Sequence, residues 1–221
     1  MINNFMIFGD SYSTYEGYIP TGYPFYYSKN GRFPEKERDV TKMELEETWW
    51  RRLAEKTGAN PVLNNSWSGS TICYTGYSGD CSKTSSFIYR YRKLLESGFF
   101  KENQIDTVFV FGGTNDSWAD APLGEFKLSN IAEEDLYCVL PAISYFAKTL
   151  REDLPDARIV FIANCDIKTE IISAIKAAGE CFRVEFVELS CIDKLEGHPT
   201  PKGMEEIAEQ IIASMKTRKN A

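Results

Sequence analysis

Residues 5–11 read Phe-Met-Ile-Phe-Gly-Asp-Ser, an apolar run that breaks into a glycine, an acid and a serine. Consecutive apolar residues that include aromatic and β-branched side chains predict a buried strand, and the glycine predicts a turn at its end. The serine, Ser11, is therefore expected directly after a strand. Similar apolar runs recur along the chain, and helix-like segments separate them.

This alternation of apolar runs with amphipathic segments is typical of βαβ units around a parallel sheet. The predicted strands are Phe5–Phe8, Val62–Asn65, Thr107–Phe111, Arg158–Ala163 and Val184–Leu189. The predicted helices cover about residues 44–57, 84–97, 133–151, 167–179 and 201–216. We therefore expect an α/β fold of three layers, with a five-stranded parallel sheet between helices, as one domain over residues 1–221.

Composition limits the classes of partner. The 221 residues are 43% hydrophobic, enough for one sizeable core, and the net charge of −7 offers no basic stripe for a nucleic acid or an anionic membrane. No apolar run approaches the ~20 residues that cross a bilayer, and the first ten residues lack the pattern of a signal peptide. The sequence thus predicts a soluble, cytoplasmic protein without nucleic-acid or membrane partners.

The cysteines and the histidine do not form a metal-binding pattern. The chain has six cysteines, with no C-x-x-C pair, and a single histidine, His198. We therefore predict no zinc site and mostly buried free thiols. A disulfide between Cys73 and Cys81 would fit only an exported chain.

Small and polar residues follow four of the five predicted strands. They are Gly9-Asp10-Ser11, residues 64–71, residues 112–116, and the loop that holds Asp193 and His198. Open parallel sheets bind ligands outside the carboxyl ends of their strands. A functional site is therefore expected at this rim.

Residues 12–40 differ from the rest, because eight aromatic residues mixed with glycine and proline occur between positions 12 and 33. A loop of this length within a compact domain is usually functional or disordered, and its aromatic content argues against disorder. It could cover the site and stack on a sugar, or it could simply pack onto the domain.

The strand-end stretches resemble the sequence blocks of the SGNH/GDSL hydrolases, esterases and lipases on a flavodoxin-like sheet. Gly9-Asp10-Ser11 matches the first block, with the nucleophile, and residues 65–69 are similar to the second, whose glycine lends a backbone N–H. Residues 113–116 match the Gly-x-Asn-Asp block, and residues 197–200 resemble the block of the catalytic histidine. The resemblance covers about residues 5–204 and implies a serine hydrolase without a metal or organic cofactor.

The chemistry of the residues agrees with this resemblance. A serine hydroxyl needs an adjacent base at neutral pH, and imidazole, with a pKa of about 6.5, suits that task. Only His198 can supply it. The resemblance implies three donors for the oxyanion, namely the N–H of Ser11, the N–H of Gly69 and the side-chain amide of Asn115.

The group that orients the histidine departs from the family pattern. The family commonly has an aspartate three residues before its histidine, where this chain has Leu195. Asp193, Glu196 or a backbone carbonyl could take this role. Asp193 is preferred, because it follows the last predicted strand and the loop could fold it beneath the ring, so that Asp193→Asn would lower kcat far more than Glu196→Gln.

The substrate is predicted less directly. Trp67, Trp118 and Tyr12 lie close to the proposed site residues and could line an acyl pocket. Removal of an acetyl or other short acyl group from a carbohydrate is the first hypothesis. A lysophospholipid or thioester substrate is an alternative, as is a glycan-binding module on the same fold without catalytic activity.

Overall fold

The computed structural model of the protein describes residues 2–217, so the predicted domain of residues 1–221 extends beyond them at both ends. The helices are α1 (Trp49–Thr57), α2 (Phe87–Glu96), α3 (Phe99–Glu102), α4 (Thr114–Trp118), α5 (Val139–Asp153), α6 (Thr169–Phe182) and α7 (Pro201–Thr217). The strands are β1 (Asn4–Gly9), β2 (Asn60–Ser66), β3 (Thr75–Gly76), β4 (Gly79–Asp80), β5 (Thr107–Phe111), β6 (Arg158–Ala163), β7 (Glu185–Glu188), β8 (Lys194–Leu195) and β9 (His198–Pro199). Two 3-10 turns cover Leu45–Glu47 and Glu133–Tyr137.

The central sheet confirms the predicted fold class. Five strands pair in parallel in the order β2-β1-β5-β6-β7. The chain first moves from β1 to β2 on one side and then crosses to β5 on the other, so the order reverses at β1. Residues that follow β1 therefore lie at the position where open α/β sheets place ligands.

Alternate side chains of each strand enter the two cores. In β1, Met6 and Phe8 belong to the core that α2, α5 and α6 cover, whereas Phe5 and Ile7 belong to the core beneath α1 and α7. All four are fully buried. This period of two, with helices on both faces, produces the three α/β/α layers.

Two details differ from the sequence-based expectation. The helix predicted from about residue 44 begins at Trp49, because Thr48 is extended and separates α1 from the 3-10 turn before it. The short hairpins β3–β4 and β8–β9 were not predicted, since strands of two residues carry no readable period. Over residues 2–217, no helix combines the length and apolarity needed to cross a membrane.

Candidate active site

Ser11 lies in a tight turn that follows β1. The N–H of Ser13 donates to the carbonyl of Asp10 at 3.0 Å, and the Asp10 carboxylate accepts from the N–H of Tyr12 at 3.0 Å. Gly9 permits the close approach of the chain, because a Cβ atom there would lie 2.6 Å from Cβ of Ser13. The turn therefore holds Ser11 firmly at the carboxyl edge of the sheet.

The structure brings Ser11 and His198 together across 187 positions of sequence. Oγ of Ser11 lies 3.0 Å from Nε2 of His198. His198 begins β9, and the hairpin turn before it is formed by Glu196 and Gly197, with φ values of +50° and +79°. Two successive positive φ values suit a two-residue hairpin turn, which points the imidazole at the serine.

The contacts of the imidazole differ from the prediction that Asp193 is its partner. Nδ1 of His198 lies 3.3 Å from the carbonyl oxygen of Glu196. The exposed carboxylate of Asp193 instead accepts from the hydroxyl of Thr200, and the Glu196 carboxylate forms an ion pair with Lys36 at 2.8 Å. Asp193 was preferred because of its place after the strand, but the loop turns its side chain toward the start of α7. Of the alternatives, the backbone carbonyl faces the ring.

Aromatic side chains surround the imidazole of His198. Tyr26 stacks on it with a centroid distance of 3.7 Å and an interplanar angle of 8°. Tyr12 lies at 5.4 Å and Trp118 at 5.7 Å. Burial, with a smaller contribution from the charge of Lys194, lowers the pKa of His198 to about 4, so the ring is neutral at neutral pH.

Tyr12 supports the loop that holds His198 and is too buried to line a substrate pocket. It is fully buried, its hydroxyl donates to the carbonyl of Gly197 at 2.5 Å, and Nδ2 of Asn164 donates to the same hydroxyl at 3.1 Å. The pocket prediction for Tyr12 is therefore wrong. The residue after the proposed nucleophile instead fixes the residue before the histidine.

The two tryptophans of the predicted pocket differ. Trp118 is 39% exposed and lies edge-on to His198, so it can contact a substrate at the rim. Trp67 is half-buried and packs on Tyr23 with a centroid distance of 4.5 Å. Trp67 therefore joins the loop of residues 12–40 to the loop after β2.

The predicted oxyanion donors lie on three different elements: the turn after β1, the loop after β2, and α4. Nδ2 of Asn115 donates to the carbonyl of Ser70 at 3.0 Å, and Oδ1 accepts from the hydroxyl of Tyr77 at 3.2 Å, which fixes the amide with one N–H to spare. Gly69 has a φ of +83°, a value that favours glycine. Among the described residues, the backbone N–H groups of Ser11 and Gly69 donate to no protein acceptor.

Two buried charged residues fix the loop after β2. The carboxylate of Asp116 accepts from the N–H of Ile72 at 2.9 Å and of Cys73 at 3.1 Å. The guanidinium of Arg90 donates to the carbonyls of Gly9 and Asn65 and to the hydroxyl of Ser70. Asp116 thus joins α4 to the loop, and Arg90 joins the loop to the end of β1.

Arg90 was not predicted from the sequence. It lies within an amphipathic helix, where an arginine normally faces solvent, and only the fold shows that it is buried. Burial lowers its pKa to about 9. A polar residue on the apolar face of α2 was the one available signal.

Asp10 is a fully buried carboxyl with a hydrogen bond to only one of its two oxygens. Burial raises the pKa of this carboxyl to about 7, the charge of Asp116 adds to the rise, and the N–H of Tyr12 together with Arg90 and Thr114 oppose it. Among the described side chains, Oδ2 of Asp10 and the hydroxyl of Thr114 are buried without a hydrogen bond of good geometry. The carboxyl is therefore partly protonated at neutral pH.

Most tyrosines of the loop of residues 12–40 pack onto the domain. Tyr15 and Tyr27 are buried and donate to the carbonyls of Met43 and Pro199 at 3.0 and 2.9 Å. Tyr18 is 51% exposed. These buried tyrosines therefore fit the expectation that the loop packs onto the domain.

No group of three or more metal-ligating side chains is found in the described part of the chain. The six cysteines have free thiols, but only Cys73 and Cys81 are buried, whereas Cys181 and Cys191 are exposed. The prediction that most of the thiols are buried is therefore wrong.

Comparison with known proteins adds to this geometry. A family model described as GDSL-like lipase/acylhydrolase matches residues 3–215. The crystal structure of a protein described as a GDSL-like lipase, from Bacteroides ovatus ATCC 8483, is 37% identical in sequence, with a TM-score of 0.87 over 98% of this chain and 99% of that chain. A second such protein, from Bacteroides uniformis ATCC 8492, is also 37% identical, with a TM-score of 0.86 over 98% and 96%.

A more distant structure shares the fold. It is a family two carbohydrate esterase from Clostridium thermocellum in complex with cellohexaose, 19% identical, with a TM-score of 0.63 over 99% of this chain and 65% of that chain. No curated protein sequence matches the chain at a significant level.

Proposed function

Because the chain belongs to the GDSL-like lipase/acylhydrolase family, we propose that it is a serine esterase that cleaves a carboxylic ester through an acyl intermediate on Ser11. The observation that carries this proposal is the 3.0 Å contact between Oγ of Ser11 and Nε2 of His198. A carbonyl can only accept a hydrogen bond, so the Glu196 carbonyl selects the tautomer with the proton on Nδ1. Nε2 is then the acceptor that faces the serine hydroxyl.

The reaction follows from this arrangement. Oγ of Ser11 attacks the acyl carbon while its proton moves to Nε2 of His198, and the negative charge forms on the former carbonyl oxygen. The N–H groups of Ser11 and Gly69 and the amide of Asn115 stabilise that oxygen. The imidazolium then protonates the leaving alcohol, and His198 afterwards takes a proton from the water that releases the acid from Ser11.

A short-chain ester of a carbohydrate is the substrate class that we propose. Trp118 and Tyr77 are 39% and 58% exposed, and they lie against His198 and Asn115, respectively. Exposed aromatic rings beside the reacting atoms suit the apolar face of a sugar. The likeness to a carbohydrate esterase bound to cellohexaose supports the same class.

The test uses purified protein with acetyl esters of xylose or cello-oligosaccharides and with p-nitrophenyl esters of increasing chain length. We expect turnover of acetyl esters, a decline with chain length, and loss of at least a thousandfold in kcat in Ser11→Ala. A preference for long acyl chains would contradict the proposed carbohydrate substrate and favour a lipid-like substrate. Unchanged turnover in a folded Ser11→Ala protein would refute the nucleophile.

A further inference from the structure

The ring of Tyr26 lies flat on the imidazole of His198. The two rings are 3.7 Å apart at their centroids and only 8° from parallel, whereas Tyr12 and Trp118 meet the imidazole at steep angles. Two contacts fix the position of Tyr26. Its N–H donates to Oγ1 of Thr14 at 2.9 Å, and its ring packs edge-on against Tyr27.

This contact matters because the surroundings of His198 make protonation of its imidazole unfavourable. The group at Nδ1 is the neutral carbonyl of Glu196, so no carboxylate in direct contact offsets the positive charge that His198 acquires. Burial also disfavours the charged ring. Some other group must therefore stabilise the imidazolium while Ser11 attacks.

An aromatic face can serve this purpose. Its π electrons attract a cation that lies within about 6 Å of the ring centroid. Burial raises the pKa of Tyr26 to about 12, so the phenol stays neutral at the pH of the reaction. The geometry points to Tyr26 as a positioning residue that holds the base in plane and stabilises its protonated form, in place of a carboxylate.

This inference rests on the proposed function, since it gives Tyr26 a role through His198. When Ser11 gives its proton to Nε2 and forms the bond to the acyl carbon, the positive charge spreads over a ring whose face is in contact with Tyr26. When the leaving alcohol takes the proton, the charge disappears again. The contribution is therefore specific to the charged state and acts on kcat more than on substrate binding.

The charged groups around the imidazole are few. Lys194, on the neighbouring strand β8, lowers the pKa of His198, and the Glu196 carboxylate raises it but forms an ion pair with Lys36. Tyr12 and Trp118 present neutral side chains from the turn after β1 and from α4.

The test compares Tyr26→Leu with Tyr26→Phe. Leucine keeps an apolar cover over His198 but has no π face, whereas phenylalanine keeps the stacked ring. We expect Tyr26→Leu to lower kcat on p-nitrophenyl acetate about tenfold with little change in KM, and Tyr26→Phe to recover most of the loss. Tyr18→Leu, in an exposed tyrosine of the same loop, should leave kcat unchanged.

The second readout does not need activity. His198 is the only histidine of the chain, so NMR of protein labelled with isotopic histidine follows its titration directly. Tyr26→Leu should lower the pKa of His198 by about half a unit to one unit relative to Tyr26→Phe. Tyr26→Met provides a second apolar replacement if the leucine variant does not fold.

Two results would overturn the inference. Equal kcat and equal pKa in the leucine and phenylalanine variants would show that the π face contributes nothing. A higher pKa in Tyr26→Leu would show that the ring only excludes water. If the wild-type protein hydrolyses no ester, the proposed function fails, while the NMR titration still decides whether Tyr26 stabilises the imidazolium.

Discussion

Nδ1 of His198 lies 3.3 Å from the carbonyl oxygen of Glu196, so the main chain of its own hairpin orients the imidazole. A carbonyl fixes the tautomer as an aspartate would, but it carries no full charge with which to stabilise the imidazolium. Ser11 and His198 are in contact, and the imidazole is held by the backbone of its hairpin and covered by the stacked ring of Tyr26.

Neither nearby carboxylate should therefore be essential. We expect Asp193→Asn and Glu196→Gln each to retain kcat on p-nitrophenyl acetate within about threefold, because their carboxylates contact Thr200 and Lys36 and not the ring. Steady-state kinetics on both variants and the wild type is the measurement. A hundredfold loss in Asp193→Asn alone would mean that this carboxylate reaches the imidazole during the reaction.

Asn115 should contribute to the reaction and not to substrate binding. Asn115→Ala removes the amide donor, and loss of one oxyanion donor costs roughly 10²–10³ in kcat. We expect a fall of that size in kcat with KM changed less than about threefold. Circular dichroism controls for folding, because the carbonyl of Ser70 loses its partner. A loss of less than fivefold would remove Asn115 from the oxyanion site.

The pH dependence should reflect the burial of the base. The pKa of His198 lies at about 4, below the usual value near 6.5, and kcat/KM reports the ionisation of the free enzyme. We expect kcat/KM to remain high at pH 6 and to fall only around pH 4 to 5, with the NMR titration of His198 giving the same midpoint. A midpoint at pH 6.5 or above in both measurements would contradict this burial argument.

The stability of the protein should depend on the charge of Asp10. Its folded pKa of about 7 lies above the unfolded value of 3.8, so the folded state binds the extra proton between these values and the contribution is lost as pH rises through 7. Asp10→Asn should be more stable than the wild type by an amount that grows roughly 2–4 kcal/mol from pH 4 to pH 8. His198 is present in both proteins, so its own pH dependence, which acts in the opposite direction, cancels in the difference.

Urea unfolding at several pH values provides this comparison. The measured quantity is the difference in unfolding free energy between Asp10→Asn and the wild type at each pH. A difference that stays constant from pH 4 to pH 8 would show that Asp10 is already ionised in the folded protein at low pH.

The sequence predicted the sheet well because the signals are local. The buried strands β1, β5 and β6 are nearly continuous apolar runs, and the position of Ser11 follows from the glycine after β1. The pairing of Ser11 with His198 also came from the sequence, since only one histidine was available. Their 3.0 Å contact is consistent with that prediction.

The residues that hold the site in place could not be predicted, because they come from distant positions in the sequence and only the fold brings them into contact. The one local signal for Arg90 is its position on the apolar face of α2, and nothing local places Tyr26 on His198. The side chain of Asp193 was assigned by its position in the sequence, yet the backbone turn decides that it faces Thr200. The prediction of one domain over residues 1–221 stays a prediction.

The central claim is that Ser11 is a nucleophile activated by His198, and labelling with a fluorophosphonate tests it most directly. The probe reacts only with an activated serine, and peptide mass spectrometry identifies the labelled residue. We predict labelling of the wild-type protein at Ser11, no labelling of Ser11→Ala, and labelling at least a hundredfold slower in His198→Ala. A folded wild-type protein that stays unlabelled, or labelling that is equally fast in His198→Ala, would contradict the claim.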